Sequence, residues 1–139
     1  MDVSLTKEFL HTFLSKHKHA VVSTVSANQH SESAVVGFVI TPDLKIFFDT
    51  SNGSRKYKNI LSNPSMSVVV WSEEQTAQLE GIARVPTGNE LNELLNTYFQ
   101  SFPDGKERQS WPDIAYVVMD VKWVKYSDFS ASLIKEISF

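Results

Sequence analysis

The chain contains no cysteine, which excludes a disulfide framework, a thiolate nucleophile and any cysteine-ligated metal centre. Glycine is also scarce, with five in 139 residues and none clustered, so no glycine-rich phosphate loop is present. Positive charge is not in excess. The formal net charge of −3 argues against a general nucleic-acid binder. No apolar run approaches the roughly 20 residues that a membrane-spanning helix needs. The start of the chain, with Asp2 and Glu8, lacks the basic-then-apolar order of a secretory leader. The expectation is a cytoplasmic protein with neither a nucleic-acid nor a membrane partner. No Ser-His-Asp arrangement or acid–base pair can be argued from spacing.

What is present suits a single domain over residues 1–139. At 42% hydrophobic and 21% charged, the chain can bury a sizeable core. An amphipathic helix is expected over 3–16, with Leu5, Phe9, Leu10, Phe13 and Leu14 as its apolar stripe and Ser4 or Thr6 as its cap. Strands at 20–25 and 31–40 read as a hairpin, and Pro42 marks the turn into a third strand at 45–49. Further strands are expected at 66–71, 75–85 and 114–125, with a short one at 133–137; Gly81 suggests a bulge. A second helix over 88–101 carries Leu91, Leu94, Leu95, Tyr98 and Phe99 on one side, and 106–110 suggests a helical turn. The fold class is therefore mainly β with flanking α-helices, built as an antiparallel barrel or sheet.

The stretch 45–70 carries most of the functional information. Ile46, Phe47 and Phe48 suit a buried strand, and Asp49 to Gly53 is turn chemistry ending in Asn52-Gly53. Ser54 can cap the next helix, whose Tyr57, Ile60 and Leu61 are expected to face the core, and Asn63-Pro64 ends it. A helix N-terminus offers free N–H groups and a partial positive charge. Arg55 and Lys56 add two full charges there, and Thr50, Ser51 and Ser54 add hydroxyls, an arrangement suited to a phosphate dianion. Basic residues in a first turn oppose the helix dipole, and a bound anion accounts for that choice. The competing reading is that Arg55, Lys56 and Lys58 form the solvated face of a short helix.

The run Phe47-Phe48-Asp49-Thr50-Ser51, then Ser54-Arg55-Lys56, Asn59 and Asn63-Pro64, resembles the pyridoxamine 5'-phosphate oxidase-like, FMN-binding split-barrel family. The order of elements from about Leu5 to Tyr126 is similar as well. The resemblance implies an antiparallel split β-barrel, FMN as cofactor, and a homodimer with cofactor sites at the subunit interface. It implies that Arg55 and Lys56, with Ser54, bind the phosphate, and that Asp49, Thr50 and Ser51 lie at the turn contacting phosphate or flavin. It implies that the backbone of Ala34, Val35, Val36 and Gly37 runs under the ring. It further implies that Gln75, Thr76 and either Tyr126 or Trp123 reach the cofactor bound mainly by the other subunit. The oxidase proper has an arginine where Ser33 stands and a lysine where Phe38 stands, and its C-terminal substrate signature does not follow Tyr126. The resemblance therefore points to the shorter branch that includes general stress proteins, with an FMN-dependent oxidoreductase of unspecified substrate as the first expectation. A non-enzymatic flavin, deazaflavin or heme binder of the same fold is the second. A flavin performs the electron transfer itself, which suits a chain without an acid–base pair.

Weaker candidates remain. His17 and His19, two apart, are expected to share a strand face as a metal pair can, but no carboxylate cluster accompanies them, and no metal is expected. His11 and His30 are isolated. Trp71, Trp111 and Trp123 read as core or interface residues rather than stacking platforms.

Overall fold

The structure is a computed structural model that describes residues 5–139. Helix α1, Lys7–Leu14, starts where the Thr6 side chain accepts a hydrogen bond from the Phe9 N–H at 3.0 Å. It is shorter than the periodicity suggested. Val3 and the alternative cap Ser4 lie outside the described residues. The strands are β1 His19–Val25, β2 Ser31–Gly37, β3 Val39–Ile40, β4 Lys45–Ser51, β5 Ser65–Ser72, β6 Gln75–Arg84, β7 Ile114–Asp128 and β8 Leu133–Ser138. The remaining helices are α2 Arg55–Ser62, α3 Gly88–Ser101 and the short α4 Gly105–Arg108.

All pairings are antiparallel, and the sheet runs β2-β1-β5-β6-β7-β4-β3, with β8 on β7. The expected strand 31–40 is in fact two strands separated at Phe38. Its first half pairs with β1 and its second with β4. The two margins of the sheet are thus successive pieces of one segment. The sheet curls between them into a split barrel, and among the described residues β2 has a strand partner along one side only.

Period-two alternation sets the interior. Ala20 and Val22 of β1, Met66, Val68 and Val70 of β5, and Ala77 and Leu79 of β6 point inward, and α1 closes the interior with Leu10, Phe13 and Leu14. A second cluster lies on the other face, where α3 sets Leu94, Leu95 and Tyr98 on Val39, Phe47 and Val118. The register of β6 slips between Glu80 and Gly81, as the lone glycine suggested. A Cβ at Gly81 would stand 2.1 Å from the Asp120 carbonyl oxygen, so only glycine fits the bulge.

Helix α2 corrects one expectation. Leu61 is 64% exposed, while Asn59 and Ile60 are buried. The Asn59 amide donates to Thr24 Oγ1 and to Glu32 Oε1, both at 2.9 Å. Those bonds turn the helix toward β1 and β2, and Leu61 rotates outward. His17 is also corrected. It follows α1 rather than lying on a strand, and its Nδ1 sits 2.9 Å from the Phe13 carbonyl, so it shares no strand face with His19.

Candidate functional site

Strand β4 delivers the chain to α2 through a short polar turn. Thr50 Oγ1 and Ser54 Oγ share a hydrogen bond at 3.0 Å, and Ser54 Oγ accepts from the Tyr57 N–H at 3.3 Å, capping α2 as its sequence position suggested. Helix α2 lies against β1 and β2, so its N-terminus opens beside the free margin of the sheet. Thr24, Glu32, Ser33, Ala34, Arg55 and Lys56 line a cleft there of about 70 Å³. That volume admits a phosphate-sized group but no fused ring system.

The two cations behave differently. Arg55 Nη1 donates to Glu32 Oε2 at 3.1 Å, with its own side chain 71% exposed and that of Glu32 only 18%. Lys56 is half-buried and, among the described residues, forms no ion pair; burial alone pushes its pKa down. A cation that loses water and gains no counter-charge, at a helix N-terminus with hydroxyls beside it, fits an anionic ligand group. Glu32 runs against that fit in part, because it supplies Arg55 with an anion from within the chain.

The other anticipated residues are spread more widely. Asp49 accepts from Arg108 Nε at 2.7 Å and from the Tyr98 hydroxyl at 3.1 Å, so its carboxylate is committed to α3 and α4. Burial, with Asp49 alongside, pushes the Tyr98 phenol up. Ser51 Oγ donates to Asp113 Oδ2 at 3.0 Å. Asp49, Thr50 and Ser51 line a neighbouring cavity of about 170 Å³ with Arg108, Trp111 and Asp113. Ala34 opens into the phosphate-sized cleft, Val35 faces outward, and Val36 is buried in the barrel. Gly37 packs under the Phe102 ring, where a Cβ would come within 2.9 Å, so this end of β2 is covered.

Gln75 and Thr76 begin β6, three strand spacings from β2, or about 14 Å. Gln75 Nε2 donates to the Tyr126 hydroxyl at 2.7 Å. Tyr126 is 2% exposed and lies between Phe9 and Phe13 in the core. Its ring is therefore not presented to a ligand, in contrast to the expectation. Trp123 lies in register with Glu80 on the outer face and is the half-exposed aromatic of that pair. The outer face of β2, β1 and β5 carries Val35, Val21 and Val69 in one register row, with exposed Trp71 beside Val69. Among the described residues, no helix covers that row.

Residues 6–128 match the family described as pyridoxamine 5'-phosphate oxidase. The chain belongs to that family. No protein of curated function gives a significant match. Among solved structures, a heme binding protein from Mycobacterium smegmatis is similar at TM-score 0.85 and 16% identity, covering 99% of this chain and 60% of that one. The chain therefore spans about 60% of that protein's length, less than two thirds. HutZ, the heme storage protein from Vibrio cholerae, is similar at TM-score 0.74 and 14% identity, covering 82% and 88% of the two chains. A Clostridium acetobutylicum protein related to general stress protein 26 of B. subtilis, of the pyridoxinephosphate oxidase family, is similar at TM-score 0.72 and 14% identity, covering 97% of each. At these identities the likeness is one of fold, and it bears out the split barrel and its flanking helices.

Sequence reasoning missed Glu32, Thr24 and Arg108. Glu32 could have been found from alternation, since Ser31, Ser33 and Val35 take one face of β2 and Glu32 shares the inward face with Ala34 and Val36. A carboxylate on an inward face needs a cation or an amide, and Arg55 and Asn59 supply both.

Proposed function

We propose that the protein is a homodimeric FMN-binding oxidoreductase whose cofactor phosphate sits at the N-terminus of α2. The observation that carries this reading is Lys56, a half-buried cation that finds no counter-charge among the described residues, in a phosphate-sized cleft beside the free margin of the sheet. Lys56, the first N–H groups of α2 and the Thr50 and Ser54 hydroxyls would hold the phosphate. The one-sided backbone of β2 would meet the polar edge of the ring. The cleft is too small for that ring, which supports completion of the site by a second protomer seated on the uncovered row of Val35, Val21 and Val69. Trp123 and Thr76 lie on that outer face and would reach the partner's cofactor. A bound flavin supplies hydride or electron transfer; the chain supplies orientation and exclusion of water.

The second reading is a non-enzymatic flavin, deazaflavin or heme carrier, or a stress-response protein, of the same fold. It is favoured by Glu32, which takes one of the two cations a phosphate would use. Two proteins of similar fold, one heme-binding and one heme-storing, agree with it. One absorbance spectrum of the purified protein, with mass analysis of the released ligand, tests both. Flavin bands and FMN mass, with steady NAD(P)H consumption in the presence of an acceptor, are the outcome expected of the first reading. A Soret band, or a cofactor that no donor reduces, overturns it in favour of the second.

A further inference from the structure

Glu32 is the element of the cleft that a phosphate site does not require. Its two oxygens are both engaged, Oε2 by Arg55 at 3.1 Å and Oε1 by Asn59 at 2.9 Å. Asn59 is itself buried and donates to Thr24, so the carboxylate is fixed from below rather than held only by a flexible arginine. Lys56 lines the same cleft. The chain thus supplies its own anion, a monovalent one, at the place where two cations converge. A phosphate dianion entering beside Lys56 gains one positive charge and meets one negative charge at close range, and Arg55 is already spoken for.

Resting on the FMN reading above, we propose that Glu32 is the selectivity-determining residue of the cleft. It acts as an internal counter-anion that suppresses the preference for a phosphorylated flavin over its unphosphorylated form. Replacing the carboxylate by the isosteric amide keeps an acceptor oxygen for Asn59 or Arg55 while removing the charge. Arg55 is then available to the ligand.

The test is the ratio of riboflavin to FMN dissociation constants, measured by quenching of flavin fluorescence in the wild type and in Glu32→Gln. The ratio is expected to rise about tenfold in the variant, the size of one screened unit charge a few ångströms away, with riboflavin affinity unchanged. A ratio that stays the same or falls overturns the proposal, since Glu32 would then be a neutral strut or a residue that aims Arg55 at the phosphate. Should the amide variant fail to fold, Glu32→Ser gives the same readout. If neither protein binds either flavin, the FMN reading fails on its own, and inorganic phosphate decides the remaining question. Tighter phosphate binding by the variant, followed at the amide resonances of residues 54–57, upholds the role of Glu32. No gain in phosphate binding removes it.

Discussion

Arg108 in α4 donates to Asp49 in β4 at 2.7 Å, and both side chains are largely withdrawn from water. The same carboxylate takes the Tyr98 hydroxyl, so one group ties β4 to α3 and α4. Asp49→Ala leaves a guanidinium and a phenol without their shared acceptor. It is expected to lower stability by about 2–3 kcal/mol, read as a reduced urea midpoint at unchanged slope. Asp49→Asn, which keeps one acceptor, is expected to lose about half as much.

Glu90, in the first turn of α3, is held by Arg84, with a further hydrogen bond from Lys45, and its carboxyl is lowered to about 2. A depressed carboxyl favours the ionised, folded state. Its contribution is complete above its ordinary value of 4.5 and is lost as pH falls from there toward about 2. The side chains of Arg84 and Glu90 are 39% and 31% exposed, so solvent screening reduces the effect to about 1 kcal/mol. Glu90→Gln is expected to flatten the stability profile across that window while changing little at pH 7 beyond this amount, as followed by denaturation at stepped pH.

Lys56 and Arg55 are expected to part company in cofactor retention. Lys56→Ala removes the unpaired charge and should weaken FMN about tenfold or more, whereas Arg55→Ala, at an exposed side chain engaged by Glu32, should weaken it less. Titration of apoprotein with FMN measures both. A double variant that holds FMN as tightly as the parent places the phosphate elsewhere.

Val69 stands in register with Val21 on the uncovered outer face and is exposed. Val69→Glu sets a carboxylate in the middle of the surface proposed for the partner. The variant is expected to elute as a monomer and to lose cofactor together with the partner, with the strand core intact because Val69 points away from it. A variant that remains dimeric moves the interface off this face.

The sequence showed the elements whose pattern is local. The bounds of α3, the Ser54 cap, and the bulge at Gly81 all follow from spacing, side-chain hydroxyls or a single glycine. It misread what depends on the far side of the molecule. The break at Phe38 arises because one segment must serve both margins of a curled sheet; Gly37 beside it is a local cue, but a single glycine does not say that the two halves pair at opposite margins. Leu61 fits a helical stripe, yet the bonds of Asn59 to Thr24 and Glu32 decide which side α2 presents. The resemblance offered Tyr126 or Trp123 as the aromatic at the cofactor, and α1 arrives from the opposite end of the chain to enclose Tyr126. The cationic pair was legible as charge. That one member already has an anion became visible only when β2 and α2 were seen side by side.

The bend at Phe38 constrains how the barrel can breathe. With the two lips of the opening joined by one buried residue, they are leashed, and the aperture cannot widen at that end without pulling an aromatic ring out of the interior. Any ligand that shifts β2 must therefore tug on β3 and, through it, on the apolar seat of α3.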